Sequence, residues 1–139
     1  MRVADGIRIR ARILEEMLGQ ARLEPQLECC GLLAGHQGIV SEIFPAQNAL
    51  GSATAYEVAP QELFSMFRRM RELGLEHLGQ YHSHPVTENF PSPSDIEQAG
   101  YPGLAYFIIS PSADAASPIR AFHIREGSVC ELVIVRIEP

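Results

Sequence analysis

Two histidines in the second half of the chain, His82 and His84, have the spacing of paired metal ligands. They lie two positions apart at the end of a strand-like segment, and side chains at this spacing share one face of a strand. Pro85 ends that strand directly after them, which predicts that both imidazoles lie at the mouth of a loop. Asp95 follows after a loop that could fold back. Two imidazoles and one carboxylate provide three metal ligands and leave a fourth position for water.

The segment around Asp95 also has a purely structural interpretation. Ser92 is followed by Pro93, and Asp95 stands three positions after Ser92, which is the pattern of a capped helix start. The two interpretations are compatible, because a carboxylate that caps a helix can also bind a metal. An H-x-H pair alone is a weak signal. The prediction of a metal site therefore depends on the residues around the pair, from His82 to Asp95.

A hydrolytic site also needs a base, and Glu28 is the candidate. It directly precedes the apolar run Cys29–Leu33. A carboxylate at the edge of a buried strand has a raised pKa, which suits proton transfer near neutral pH. The alternative is a solvated glutamate at the end of a loop, and spacing alone favours this alternative.

Length and composition indicate one globular domain. The chain has 139 residues, 46% of them hydrophobic and 20% charged, so residues 1–139 are predicted to form a single domain. No apolar run approaches the roughly 20 residues that a membrane helix needs. The start of the chain, Met1–Gly6, is polar and has no apolar signal segment. These observations predict a cytoplasmic protein.

Charge and cysteine content exclude several functions. The net charge of -6 disfavours nucleic acid and membrane surfaces as partners, because an acidic surface repels phosphates. All eleven basic residues are arginines, which excludes a Schiff-base or P-loop lysine. The three cysteines form no C-x-x-C, which excludes a cysteine-rich zinc site. Cys29 and Cys30 are predicted to be small buried residues, with a thiol nucleophile beside Glu28 as the weaker alternative.

The hydrophobic pattern predicts two main helices and a mixed sheet. Apolar residues recur at helical spacing from Ile13 to Ala21, and a second helix begins at Pro60 and ends at Gly74. The order of helix, strands, helix and further strands is typical of an α/β fold with helices packed on the sheet. The predicted strands are Ile7–Ile9, Cys30–Ala34, Ile39–Phe44, Tyr56–Val58, Leu75–Tyr81, Leu104–Ile109, Ile119–Ile124 and Val129–Ile137.

In combination these segments resemble the JAMM (MPN+) metalloprotease family. The family's pattern is a Glu on an early strand, then H-x-H-P, then S-x-x-D. All of these occur here in order: Glu28 followed by Cys-Cys-Gly-Leu-Leu-Ala-Gly, then Gly79-Gln80-Tyr81-His82-Ser83-His84-Pro85, then Pro91-Ser92-Pro93-Ser94-Asp95. The resemblance implies a single MPN domain with an α/β fold, in which helices flank a mixed, curved β-sheet in a cytidine-deaminase-like architecture.

The resemblance also implies a role for each site residue. It implies zinc bound by His82, His84 and Asp95. Glu28 would then act as general base and proton shuttle on the zinc-bound water. Ser92 would help to stabilise the oxyanion of the tetrahedral intermediate.

The substrate class follows from the same resemblance. The family hydrolyses peptide or isopeptide bonds after the C-terminal glycines of ubiquitin or ubiquitin-like proteins, whose tail lies extended beside a strand. This chain is short, without an obvious ubiquitin-binding insertion, and is more similar to the stand-alone prokaryotic members. Some of those process ubiquitin-like sulfur carriers. The expected partner is therefore the C-terminal tail of a ubiquitin-like or sulfur-carrier protein.

Other functions share parts of this pattern. Two histidines and one carboxylate also describe the ligand set of a non-haem iron oxygenase, but Glu28 would have no role there. A metal-free binding scaffold is a further alternative, although such relatives typically lack one or more ligands. The H-x-E and P-C-x-x-C signature of zinc deaminases is absent.

Overall fold

The computed structural model describes residues 5–139, so the predicted absence of a signal segment at Met1–Ala4 lies outside the described residues. No helix within the described range is long and apolar enough to cross a membrane. The single domain over residues 1–139 stays a prediction. In chain order the elements are β1 (Gly6–Arg10), α1 (Ala11–Leu23), β2 (Cys30–His36), β3 (Ile39–Ala46), α2 (Pro60–Glu72), β4 (Glu76–Ser83), α3 (Pro93–Gln98), β5 (Ala105–Ile109), β6 (Ile119–Arg125) and β7 (Ser128–Ile137).

The seven strands form one closed barrel in the order β1-β3-β2-β4-β5-β6-β7, and β7 pairs again with β1. The pairs β1–β3, β1–β7 and β4–β5 are parallel, whereas the other four pairs are antiparallel. This confirms the predicted mixed α/β fold. The predicted curvature is strong enough to close the sheet, so each of these strands is paired on both sides.

Helix α1 packs against one face of the barrel and forms the main core with it. Its predicted apolar stripe is confirmed, since Ile13, Met17 and Ala21 are fully buried at helical spacing. All seven strands contribute residues to the same buried cluster as this helix. The strand residues of this core are Ile9, Leu33, Val40, Tyr81, Ala105, Phe107, Ile109, Ala121 and Leu132.

Strand β2 is buried on both faces. Leu33 faces α1, whereas Leu32 and Ala34 pack beneath Met66 and Met70 of α2. This double burial explains why the strand is a continuous apolar run rather than an alternating one. It also places Glu28, two residues before the strand, close to the buried core.

One predicted strand is absent. Tyr56–Val58 was expected to be extended and paired, but it lies in an irregular segment between β3 and α2. Asn48 takes the place of a strand partner, because its Oδ1 accepts from the backbone N–H of Glu57 at 3.2 Å and its Nδ2 donates to the carbonyl of Ala55 at 2.9 Å. The prediction was wrong because a side chain satisfies these backbone groups locally.

The cysteines are free thiols. Cys29 and Cys30 are buried as predicted, and Cys130 is exposed on β7. Burial raises the pKa of the Cys30 thiol to about 12, so this group stays protonated. Such a thiol packs as a small apolar group, which disfavours the alternative of a nucleophile beside Glu28.

Alanine substitutions at two glycines are expected to change the free energy of unfolding in opposite directions. A Cβ on Gly35, at the irregularity where β2 pairs with β3, would collide with the backbone carbonyl of Ile39, whereas Gly19 in α1 has open space around it. We expect Gly35→Ala to lower the free energy of unfolding by about 1–3 kcal/mol, because the clash is with backbone. Gly19→Ala should raise it by about 0.5–1 kcal/mol, because alanine favours a helix interior. Urea denaturation of both variants measures these changes, and equal effects would contradict the close approach of the Ile39 carbonyl to Gly35.

Candidate metal centre

Strand pairing places the two histidines. In β4, His82 pairs with Cys30 of β2 on one side and with Ile108 of β5 on the other. His84 follows the end of β4, and its backbone N–H donates to the carbonyl of Ile109 at 2.9 Å, which prolongs the pairing by one step. Both rings are buried and point the same way, with their Nε2 atoms 3.0 Å apart.

Helix α3 places the carboxylate. Ser92 Oγ accepts from the backbone N–H of Asp95 at 3.0 Å, and Asp95 Oδ2 accepts from the backbone N–H of Ser92 at 2.9 Å. This reciprocal capping box confirms the predicted helix cap. The same Oδ2 lies 3.2 Å from Nε2 of His82 and 3.1 Å from Nε2 of His84. The cap therefore fixes the carboxylate where the structure brings all three predicted ligands together.

The three ligand atoms fit a cation. Their separations of 3.0, 3.1 and 3.2 Å form a nearly equilateral triangle. A tetrahedral zinc ion with bonds of about 2.0–2.1 Å sets its ligands about 3.3 Å apart, which is close to this triangle. His84 Nδ1 lies 2.8 Å from the carbonyl of Glu88, which can only accept, so Nδ1 carries the proton and Nε2 presents a lone pair. The donor set therefore suits a divalent metal ion.

The protonation of the two imidazoles differs. Burial lowers the pKa of His82, which keeps this ring neutral as a ligand must be. Burial acts in the same direction on His84, but the hydrogen bonds to Asp95 and to the Glu88 carbonyl outweigh it and raise its pKa. Protons and a cation compete for Nε2 of His84, so metal binding weakens as the pH falls.

Glu28 is buried beside the ligand set. Its side chain is 5% exposed, so the solvated interpretation that spacing favoured is wrong. Its backbone N–H donates to the carbonyl of Ser52 at 2.9 Å, and its carbonyl accepts from Asn48 Nδ2 at 3.0 Å. Burial raises its pKa to about 7, with a smaller lowering by His84 and a smaller raising by Asp95. A carboxyl with this pKa can both take up and release a proton near neutral pH.

Ser83, between the two histidines, was missed by the sequence reasoning. It is fully buried, and its Oγ accepts from the backbone N–H of Cys29 at 2.8 Å. Its own backbone N–H donates to the carbonyl of Cys29 at 3.0 Å. Because successive side chains of a strand point to opposite faces, Ser83 points away from the metal ligands and towards the segment that carries Glu28. A small polar residue between two ligands on a strand was the available signal.

Tyr56 is a second residue that sequence reasoning did not place at the site. Its ring stacks on that of His82, with centroids 4.5 Å apart and an interplanar angle of 23°. Gln80 Nε2 donates to the Tyr56 hydroxyl at 3.0 Å. The lack of a local pattern explains the omission, because the loop that carries Tyr56 meets β4 only in the folded chain.

Glu28, Ser92 and Asp95 line one cleft, with a volume of about 340 Å³. Segment 54–58 forms one wall, and the start of α3 forms the other. Ser92 Oγ accepts in the capping box, which leaves its hydroxyl hydrogen available to donate into the cleft. The cleft thus combines one of the three metal ligands, Asp95, with a carboxyl of raised pKa and a hydroxyl donor, and His82 and His84 adjoin it through their contacts with Asp95. These are the groups that a metal-dependent hydrolase needs.

Fold and site together define the metalloprotease class. A family model described as prokaryotic homologs of the JAB domain matches residues 10–125. The chain therefore belongs to the JAMM/MPN family, among the prokaryotic homologs of the JAB domain, as the sequence motifs predict. The cytidine-deaminase-like architecture stays a prediction.

Individual relatives agree with this assignment. A desampylase of Haloferax volcanii is 37% identical over 105 residues, which cover 73% of this chain and 76% of the relative. The CysO-cysteine peptidase of Mycobacterium tuberculosis is 32% identical over 125 residues, 88% of this chain and 86% of the relative. A solution structure of a Desulfitobacterium hafniense protein has a TM-score of 0.85 and 34% identity, and the match covers 96% of this chain and 94% of that one.

The ligand assignment predicts the metal content of the purified protein. Wild type prepared without chelators should carry one divalent ion per chain, and His84→Ala should lose it, because two ligands hold such an ion too weakly. His36→Ala is the matched control, since His36 is exposed at the end of β2. Elemental analysis of the three proteins measures the content. Equal content in all three would remove His84 from the ligand set.

Glu28→Gln is expected to stabilise the metal-free protein, and to do so more at about pH 8 than at about pH 4. The pKa of Glu28 is about 7 in the folded chain and 4.5 ordinarily. Ionisation therefore weakens folding as the pH rises above 4.5, and the full loss is reached above 7. Glutamine keeps the shape without the charge. Thermal unfolding in chelator at both pH values gives the Tm difference, and a difference that does not grow with pH would refute burial of the charge.

Proposed function

We propose that this chain is a zinc-dependent peptidase that hydrolyses the peptide or isopeptide bond after the C-terminal Gly-Gly of a ubiquitin-like protein of the sulfur-carrier type. The observation that carries the proposal is the convergence of three ligand atoms within 3.2 Å of one another, one of which, on Asp95, belongs to a residue that lines the same cleft as buried Glu28. Geometry supplies the reaction class, and the relatives support the substrate class.

The substrate proposal extends what the relatives are named for. One is named for desampylation and another for cleavage of CysO-cysteine. The released group for this chain is either a free amino acid or a conjugated protein. A cytoplasmic location, and the absence of nucleic acid or membrane as partners, stay predictions.

The closed barrel constrains how a substrate tail can bind. Each barrel strand already has two neighbours, so an extended tail cannot add to the barrel itself. Segment 54–58 lies along the cleft without strand pairing. Asn48 and Ala49 occupy backbone groups of Ala55 and Glu57, so a tail would pair with the backbone of the residues between them, such as Tyr56. Glycines suit such a position because they add no side chain between this segment and the opposite wall.

The proposed mechanism uses His82, His84 and Asp95 to hold the metal. When bound, zinc would polarise the scissile carbonyl and lower the pKa of its water to about 7. Glu28 accepts the proton as the water oxygen bonds to the carbonyl carbon. It returns that proton to the nitrogen as the carbon–nitrogen bond breaks, so the amine leaves neutral. A pKa of about 7 allows Glu28 to act in both directions.

Ser92 is proposed to stabilise the negative charge on the carbonyl oxygen. Its Oγ is held by the N–H of Asp95, so the hydroxyl is oriented before substrate arrives. A donor fixed in advance contributes more than one that must reorient during the reaction. The capping box therefore aligns a ligand and an oxyanion donor in one turn of helix.

Two alternatives are resolved by the identity of the metal. Iron in place of zinc would support the oxygenase, and no metal in a chelator-free preparation would support a binding scaffold. The burial of Glu28 beside the ligands favours hydrolysis, because a carboxyl of raised pKa next to a metal site is typical of a catalytic acid or base.

Glu28→Gln tests the mechanism directly. The variant should keep its zinc and lose about 10²–10⁴-fold in rate, because glutamine cannot accept the proton. The substrate is a ubiquitin-like carrier joined through its C-terminal Gly-Gly to a reporter protein, and the release of reporter is followed. Glu24→Gln, in the exposed segment before Glu28, is the control and should cleave like wild type. Full activity in Glu28→Gln would rule out its role as base.

A further inference from the structure

Asn89, in the loop between His84 and Ser92, is a buried polar residue that the mechanism does not use. Its side chain is 7% exposed. Nδ2 donates to the carbonyl of Ser117 at 2.7 Å and lies 3.5 Å from the carbonyl of Ile108. The amide therefore ties the loop to the segment before β6 and to β5. Such a buried side chain with its donors on two distant segments fixes the position of its own backbone.

Asn89 lies at the centre of a tight turn that faces the metal ligands. The carbonyl of Glu88 accepts from the backbone N–H of Phe90 at 2.9 Å, which closes a three-residue turn around Asn89. The same carbonyl accepts from Nδ1 of His84 at 2.8 Å. The Glu88 carbonyl and the Asn89 nitrogen belong to one rigid peptide plane. The direction of that carbonyl, and hence its bond to His84, follows from where Asn89 is anchored.

The far side of the turn is also held, by packing. Phe90 contacts Phe122 edge-on, with centroids 5.3 Å apart, and the Arg120 guanidinium lies 5.5 Å from the Phe90 ring centroid. Arg120 is itself oriented by Glu131 at 2.8 Å. These contacts are partly exposed, whereas the Asn89 amide is buried. The amide is therefore the part of the anchor that solvent cannot replace.

We propose that Asn89 is a positioning residue for the metal centre. Its amide fixes the turn 88–90, so that the Glu88 carbonyl holds the proton of His84 on Nδ1 and aims Nε2 at His82 and Asp95. This inference rests on the proposed function, in which these three side chains bind zinc. Outer partners of metal-bound histidines commonly contribute about 10- to 100-fold to metal affinity.

The test compares zinc affinity and fold stability in two variants of the full chain. Asn89→Ala removes both donors, and Asn89→Asp keeps the shape but sets carboxylate oxygens against two carbonyls. Zinc affinity, measured by competition with a chromophoric chelator, should fall about 10- to 100-fold in both variants. Thr87→Ala, an exposed change in the same loop, should bind zinc like wild type. The visible spectrum of the cobalt-loaded variants should also shift, because the ligand field changes when His84 turns.

A second readout needs no metal. Nitrogen-15 NMR of the metal-free protein reports which ring nitrogen of His84 carries the proton. Wild type should show Nδ1–H, and both Asn89 variants should show a mixture of tautomers. Unchanged zinc affinity together with an unchanged tautomer would overturn the proposal, as would failure of both variants to fold, which would make Asn89 a residue of the fold. A wild type that binds no zinc would overturn the proposed function instead, and the tautomer would still decide the role of Asn89.

Discussion

The register of one strand pair sets the whole site. β2 and β4 run antiparallel with Cys30 opposite His82, so the segment just before β2, which carries Glu28, lies beside the end of β4. A slip by one residue would turn both histidines to the other face of the sheet and move Glu28 away from them. Ser83 opposes such a slip, because its side chain and backbone both bond to Cys29. Burial of β2 on both faces opposes it further, since either face would lose its apolar contacts.

On the other side of the cleft, one carboxylate has both a structural role and a role as a metal ligand. Asp95 Oδ2 accepts from the backbone N–H of Ser92 and also lies within 3.2 Å of both imidazoles. A short helix of six residues has little stability of its own, so its cap decides where it begins. Because the cap and the ligand are one carboxylate, the start of α3 cannot shift without moving the metal site. The structural and chemical interpretations of S-P-S-D therefore describe one arrangement.

The sequence predicted local features well and distant contacts poorly. The helix cap at Ser92 and the shared face of His82 and His84 depend on spacing along the chain, and the structure shows both. The burial of Glu28 depends on segments distant in sequence that cover it. Spacing alone therefore favoured the wrong environment, a solvated one. Tyr56 and Asn89 carry no local signal, because their partners lie on segments far away in sequence. The role of general base was assigned to Glu28 from the family resemblance, because the periodicity of the sequence does not indicate it.

Holding the site in place before a metal binds costs free energy of folding, which contacts elsewhere in the chain must offset. Three ligand atoms lie close together, and Glu28 has a pKa of about 7 because burial disfavours its charge. Among the described residues no buried side-chain nitrogen or oxygen lacks a hydrogen-bond partner. The compensation comes from elements outside the cleft: the capping box, the Ser83 bonds and the Asn48 bonds to the backbone around Glu28. A cation that enters this site therefore meets ligands already in place. Little of the binding free energy is then spent on ordering loops.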